Sequence, residues 1–283
     1  MTMLEELEAQ RAELDQLISK AKAERGVAEH RRYHDLGINV TEKIVKLIED
    51  NDIPLHWVFG SFGIFARRIS ITRFLGHYEL FKLVQNVPGS IVECGVFQGN
   101  GLLSYAKFLE IFCTADRWRK AIGFDTFAGF VEVVPEDGPE ADRAENRPYV
   151  GQKFAGGYSS AGFKPVLDEM VKVVHEDQYL PHMPRIELVE GDISETVPKY
   201  VAENPGLRIS MLILDVDLYK PTMAALEHLY PLVVPGGLVV FDEYAKAEWA
   251  GESKAYEDFF APNPPKLTRF NWTPNPGGFF VKE

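Results

Sequence analysis

The chain has 283 residues, 46% hydrophobic and 25% charged, and carries a net charge of −12. That length can bury the core of one large or two small domains. The acidic balance argues against nucleic acid or an anionic membrane as the main partner, and no apolar run reaches transmembrane length. With a polar rather than signal-like N-terminus, a cytoplasmic enzyme is expected. The two cysteines, Cys94 and Cys113, lie in apolar contexts and read as reduced core residues.

Residues 1–25 predict a helix, because Leu4, Leu7, Arg11, Leu14, Ile18 and Ala21 follow 3,4 spacing. Two readings stand: packing on its own domain, or a dimerising arm. A homo-oligomer, dimer or higher, is expected. His30 and His34 have helical metal spacing, but without a following zincin Glu and among cations they read as a solvated basic face. Residues 40–87 predict several helices, closed by Pro88-Gly89. Together 1–87 form a helical extension, and 88–283 the catalytic domain.

From there strands and helices alternate. Strands are predicted at 90–93, 120–125, 185–191, 208–215 and in the run after Pro235-Gly236-Gly237, with helices at 101–112, 164–179, 194–203, 221–232 and 251–260. Residues 267–283 predict a hairpin turning at 274–278. The fold class is therefore α/β: a doubly wound, Rossmann-like, mostly parallel sheet with a C-terminal antiparallel hairpin. The polar stretch 131–162 is too long for an ordinary connection and reads as a lid or insert.

Each of the five parallel strands finishes in an acid: Glu93, Asp125, Asp192, Asp215 and Asp242. In open α/β sheets ligands bind at that edge. Helix capping would place the same residues there. Glu93-Cys-Gly95-Val-Phe-Gln-Gly99-Asn-Gly101 lets a ligand approach the strand-to-helix turn closely, but it lacks the G-x-G-x-x-G spacing of dinucleotide binders. The preceding Glu disfavours a pyrophosphate and favours a cation or an amino group. Asp125 is placed to accept from ribose hydroxyls, and Asp192 from an adenine amino group. If the fourth and fifth strands are neighbours, Asp215 and Asp242 stand about 5 Å apart. Carboxylates that close repel unless a cation lies between them, so a divalent-metal site is expected there.

Five segments in order, VPGSIVECGVFQGNG, IGFDTFAGF, LVEGDISETVP, LDVDLY with ALEHLYPLVVPGG, and VVFDEY, resemble the macrocin O-methyltransferase (TylF/MycF-type) family of class I S-adenosylmethionine-dependent methyltransferases. The resemblance runs from about Ile71 to the C-terminus. It implies a metal-dependent O-methyltransferase acting on a sugar hydroxyl of a natural product or nucleotide-sugar, with S-adenosyl-L-methionine and Mg²⁺ or another divalent cation. Glu93, Gly95, Val96 and Gly99 would bind the methionine and sulfonium end. Asp125 would take the ribose, Asp192 and Ile193 the adenine, and Asp215 would lie on the cofactor's edge as well as the metal's. Phe127, also cofactor-binding, could close over the site with Phe130 and 131–162. Asp215, Asp242 and Glu243 would hold the metal. The family pattern Asp-Asp-Tyr is here Asp242-Glu243-Tyr244, which leaves the role of Glu243 open. Asp217 is the catalytic base, or else a supporting partner or helix cap, and Asp215 assists catalysis through the metal. Asp215-Val-Asp217 also fits a D-x-D glycosyltransferase or a phosphatase, and a catechol-like diol would satisfy the same metal chemistry.

Overall fold

The computed structural model describes residues 39–138 and 152–283. The helix expected over 1–25, the histidine pair and the centre of the 131–162 stretch lie outside the described residues. Two compact units divide the chain. The described part of the first runs from 39 to 67, and that of the second comprises 68–138 and 152–283.

In the first unit, helix α1 (39–50) is followed by α2 (Leu55–Gly60) and α3 (Phe62–Phe65). Arg67 Nη1 donates to Thr41 Oγ1 at 3.3 Å, tying the ends of this stretch together.

The second unit is built on six strands: β1 (Ser90–Cys94), β2 (Ala121–Asp125), β3 (Ile186–Glu190), β4 (Ile209–Leu214), β5 (Val233–Phe241) and β6 (Gly278–Val281). Their order is β3-β2-β1-β4-β5-β6, parallel except for β6 on β5. Period-2 alternation in apolar strands supplies one core on each face. Val92, Cys94, Leu212, Leu214, Val239 and Phe241 face one way. They meet helices α7 (Ile193–Glu203), α8 (Tyr219–Leu229) and α9 (Ala250–Phe260). Ile91, Met211, Ile213, Leu238 and Val240 face the other way, toward α4 (Arg68–Val84) and α5 (Asn100–Phe112). Helix α6 (Lys164–Glu176) joins α5 over β2 and β3 through Leu167 and Val174. This is the doubly wound arrangement expected.

Two details depart from the local sequence signal. Pro235-Gly236-Gly237 lies within β5 rather than before it, where the β4–β5 register shifts between Ile209 and Met211. The predicted hairpin over 267–283 reduces to one antiparallel bridge, Thr268–Phe279, because β6 spends its ladder on β5. Phe279 and Phe280 thereby enter the two opposite cores.

The edge away from the strand ends is closed by buried arginines. Arg185, fully buried, donates to Glu110 Oε2 at 2.7 Å and to the carbonyls of Cys113, Asp116 and Arg119. With its donors so paired, the charge is tolerated inside.

Candidate functional site

A buried parallel strand can carry charge only where its chain leaves the sheet, so the acids gather at one edge. Strand order reverses between β1 and β4, which opens a crevice there. At that point Gly95 has φ +91°, and a Cβ on it would lie 1.8 Å from the carbonyl oxygen of Asp215. Only glycine fits this contact between the turns after β1 and β4. Asp215 N donates to Cys94 O at 2.9 Å across the same seam. Gly99, also left-handed at φ +85°, leads into α5 against Leu167.

Asp125 holds two turns. Its Oδ2 accepts from Phe97 N at 2.7 Å and its Oδ1 from Phe127 N at 2.6 Å. Both phenylalanines have positive φ, 51° and 54°, a conformation side chains other than glycine rarely adopt. Asp192 caps α7 by accepting from Ser194 N at 2.9 Å, so the capping role holds whatever else the carboxylate does. Glu93 is buried beneath the β1 turn. Burial pushes its carboxyl up to about 8, against the pull of Arg73 and of the Leu102 N–H.

A cavity of about 330 Å³ opens over this edge, within the range of about 300–1,000 Å³ usual for small-molecule sites. Its walls include Gly95, Asp125, Asp192, Ile193, Asp215, Asp217, Asp242 and Glu243. Glu93, Val96, Gly99 and Phe127 do not line it. Val96 and Phe127 pack in the core under α5 and α6.

On the β4–β5 side three carboxylates converge. Leu214 and Phe241 are register partners, so Asp215 and Asp242 leave the sheet side by side. Asp215, Asp242 and Glu243 can each offer an oxygen, all within 4.8 Å of one another. These are hard donors, the type that Mg²⁺ and similar divalent cations take. In the protein alone, other groups answer their charge. Arg73 Nη2 donates to Asp215 Oδ2 at 3.2 Å, Lys246 Nζ lies 2.8 Å from Glu243 Oε2, and Asn275 Nδ2 bonds Asp242 Oδ2. Burial, then Asp242, raises the Asp215 carboxyl well above the usual range. Asp217, held at φ 63°, is pushed up to about 8 by burial, then by Glu243 and Asp242.

Among the residues of this site, Glu252, Asp137, Asn275, Lys246 and Trp249 carried no sequence signal, whereas Phe130 was expected to close over it. Glu252, fully buried on α9, accepts from Glu243 N at 2.8 Å. Asp137, in the polar stretch after β2, is 1% exposed and accepts from Tyr219 N at 2.6 Å, fixing the start of α8 next to Asp217. Asn275 reaches Asp242 from the connection before β6, and Lys246 Nζ donates to its Oδ1 at 3.1 Å. Phe130, Tyr158 and Trp249 form a triangle with ring centroids 5.7–5.9 Å apart, and all three line the cavity.

Known proteins share this architecture. The chain is 27% identical over 180 residues to the mycinamicin III 3''-O-methyltransferase of Micromonospora griseorubida, covering 60% of this chain. It is 29% identical over 163 residues to the 8-demethyl-8-(2,3-dimethoxy-alpha-L-rhamnosyl)-tetracenomycin-C 4'-O-methyltransferase of Streptomyces olivaceus, covering 58% of this chain. The matched region spans 61% and 56% of the length of these curated relatives. Among solved structures, the calicheamicin methyltransferase CalS11 superposes with a TM-score of 0.77 at 31% identity, over 86% of this chain and 91% of that one. A second structure of CalS11 describes it as a TDP-rhamnose 3'-O-methyltransferase. The family model for macrocin-O-methyltransferase (TylF) matches residues 79–264, more than half of the chain. The chain belongs to the macrocin-O-methyltransferase (TylF) family.

Proposed function

We propose that this protein transfers the methyl group of S-adenosyl-L-methionine to a sugar hydroxyl of a natural product or nucleotide-sugar, assisted by a divalent cation such as Mg²⁺. The observation that carries the reading is one cavity with two chemically distinct halves. Gly95, Asp125 and Asp192 line one, and the convergent Asp215, Asp242 and Glu243 the other. On this reading the first half takes the cofactor, and the second the acceptor and the cation. By their names, the relatives methylate mycinamicin III at 3'', a rhamnosyl-tetracenomycin C at 4' and TDP-rhamnose at 3'.

The residues fit both ligands. Asp125 keeps lone pairs for ribose hydroxyls beyond the two backbone N–H groups it holds. Asp192 and Ile193 stand beside it for the adenine. Burial, then the repulsion of neighbouring acids, raises the carboxyls of Asp215, Asp217 and Glu243, and a cation among them would relieve that repulsion. When bound, such a cation lowers the pKa of a hydroxyl that coordinates it. The cofactor supplies a methyl group already activated on sulfur.

The protein's task is then alignment and proton removal. Asp217, which lines the cavity beside Asp215, Asp242 and Glu243, would accept the proton of the acceptor hydroxyl as that oxygen is methylated. Asp137 steadies that residue through the start of α8, and Glu252 steadies Glu243. The triangle of Phe130, Tyr158 and Trp249 gives the C–H face of a sugar ring an apolar surface and keeps water from the reacting atoms.

Calorimetry with S-adenosylmethionine and S-adenosylhomocysteine tests the cofactor half, and binding of neither would end the methyltransferase reading. Mass spectrometry of nucleotide-sugars, macrolide glycosides and catechols incubated with the cofactor identifies the acceptor class. Methyl transfer should fall at least 100-fold on chelation or in Asp215→Ala. Full activity in both removes the cation from the proposal.

A further inference from the structure

Arg73 stands on α4, more than 140 residues before the carboxylate it meets. Seven carboxylates and two cations line the cavity. Lys220, one of the cations, is bonded to Glu132. The other is Arg73, whose Nη2 reaches Asp215 Oδ2 at 3.2 Å while its side chain stays 49% exposed. Asp215 is its one hydrogen-bond partner among the described residues. Burial works against its charge, but Asp215, Asp242 and Glu93 outweigh it and hold its pKa above the usual arginine value. Its guanidinium therefore sits in the field of acids from β1, β4 and β5 together, at the end of the cavity where Gly95 makes the turn.

The methionine end of the cofactor brings two positive groups, the sulfonium and the ammonium, and one negative group, the α-carboxylate. An acid-lined cleft receives the positive groups readily. It repels the carboxylate unless a cation meets it. Guanidinium matches a carboxylate with two parallel N–H donors, which a lysine ammonium does not.

We propose that Arg73 binds the α-carboxylate of the cofactor, and that its contact with Asp215 is the resting partner it holds before the cofactor arrives. The proposal rests on the reading that the methionine end lies at the Gly95 turn. In this arrangement Arg73 selects the intact amino-acid cofactor over analogues that lack the carboxylate. It also shares Asp215 between the two halves of the site, because the same carboxylate faces the guanidinium before binding and the cation afterwards.

The test compares S-adenosylhomocysteine with S-adenosyl-3-thiopropylamine, the same molecule without the carboxylate, by calorimetry on wild-type protein, Arg73→Met and Arg73→Lys. Wild type should prefer S-adenosylhomocysteine by about 10- to 100-fold, the worth of a charge-assisted pair. Arg73→Met should lose that preference, binding S-adenosylhomocysteine about 10- to 100-fold more weakly and the amine within about twofold of wild type. Arg73→Lys keeps the charge without the fork and should fall between. An equal loss for both ligands, or no loss for either, overturns the assignment while leaving the methyltransferase reading intact. Wild-type protein that binds neither ligand overturns both.

Discussion

Asp125 is the residue where structural and ligand-binding roles separate most cleanly by substitution. Its carboxylate accepts from two backbone N–H groups, Phe97 at 2.7 Å and Phe127 at 2.6 Å, in turns that both hold φ > 0. A hydrogen bond to a charged acceptor contributes about 1.5–3 kcal/mol, and a left-handed residue other than glycine costs about 1–2 kcal/mol. Asp125→Ala removes both bonds and leaves both strained turns, with water able to replace the bond at exposed Phe97 but not at buried Phe127. The expected loss of stability is about 2–4 kcal/mol, measured by urea unfolding. Asp125→Asn keeps one acceptor and turns an NH₂ toward the other N–H, so it should lose about half as much. Affinity for S-adenosylhomocysteine, measured on the folded fraction, should fall at least 10-fold in both, because the ribose loses its partner. If Asp125→Ala unfolds within about 0.5 kcal/mol of wild type, the turns hold themselves and the carboxylate serves the ligand alone. If affinity survives, the ribose assignment is wrong.

Two further predictions concern the frame around the site. His77 Nδ1 lies 3.0 Å from Tyr105 Oη while its buried Nε2 has no hydrogen-bond partner among the described residues, and burial, then Arg73, lowers its pKa to about 4. Between pH 6.5 and 4 the unfolded chain takes up a proton the folded chain refuses. Stability should therefore fall with pH across that window, by up to about 3 kcal/mol. His77→Gln should flatten this part of the pH–stability curve, and parallel curves for variant and wild type would refute the assignment. Gly95→Ala places a methyl group 1.8 Å from Asp215 O in a left-handed backbone, so the ends of β1 and β4 must part. A loss of more than about 2 kcal/mol and of cofactor binding is expected in thermal melts and calorimetry. A variant that melts and binds like wild type would mean that the seam between β1 and β4 opens at little cost.

The sheet was legible because each strand is a short apolar run with an abrupt polar end, and period-2 alternation feeds two faces. The pairing of Asp215 with Asp242 followed from one assumption, that consecutive parallel strands are neighbours, and β4 and β5 are. What periodicity could not reach is contact between segments remote in sequence. Glu252 reads as an ordinary acid on a surface helix until α9 is packed, and then it supports Glu243 from behind. Asp137 looks like one more charge in a polar loop, yet it is buried and fixes the start of α8. Asn275 belongs to a stretch read as a hairpin turn. With β6 pairing on β5, that stretch is carried across the mouth of the site to Asp242.

These remote contacts share one electrostatic cause. Asp215, Asp217, Asp242 and Glu243 crowd one end of a cavity, and burial raises three of them above their usual range. Like charges in a poorly solvated cluster destabilise the fold that holds them. Donors from outside the strand ends offset this: Arg73 on Asp215, Lys246 beside Glu243, Asn275 on Asp242. Each comes from a different element, because the strand ends themselves are occupied by the acids. A positive ligand entering the cavity competes with these donors for the same oxygens, and every donor it frees becomes available to a negative group. For the carboxylate of an amino-acid cofactor, the freed group in this proposal is Arg73, which holds Asp215 across from Gly95. The contacts that offset the crowded acids thereby hold in place, in the arrangement proposed above, the cation that meets the cofactor's single negative charge.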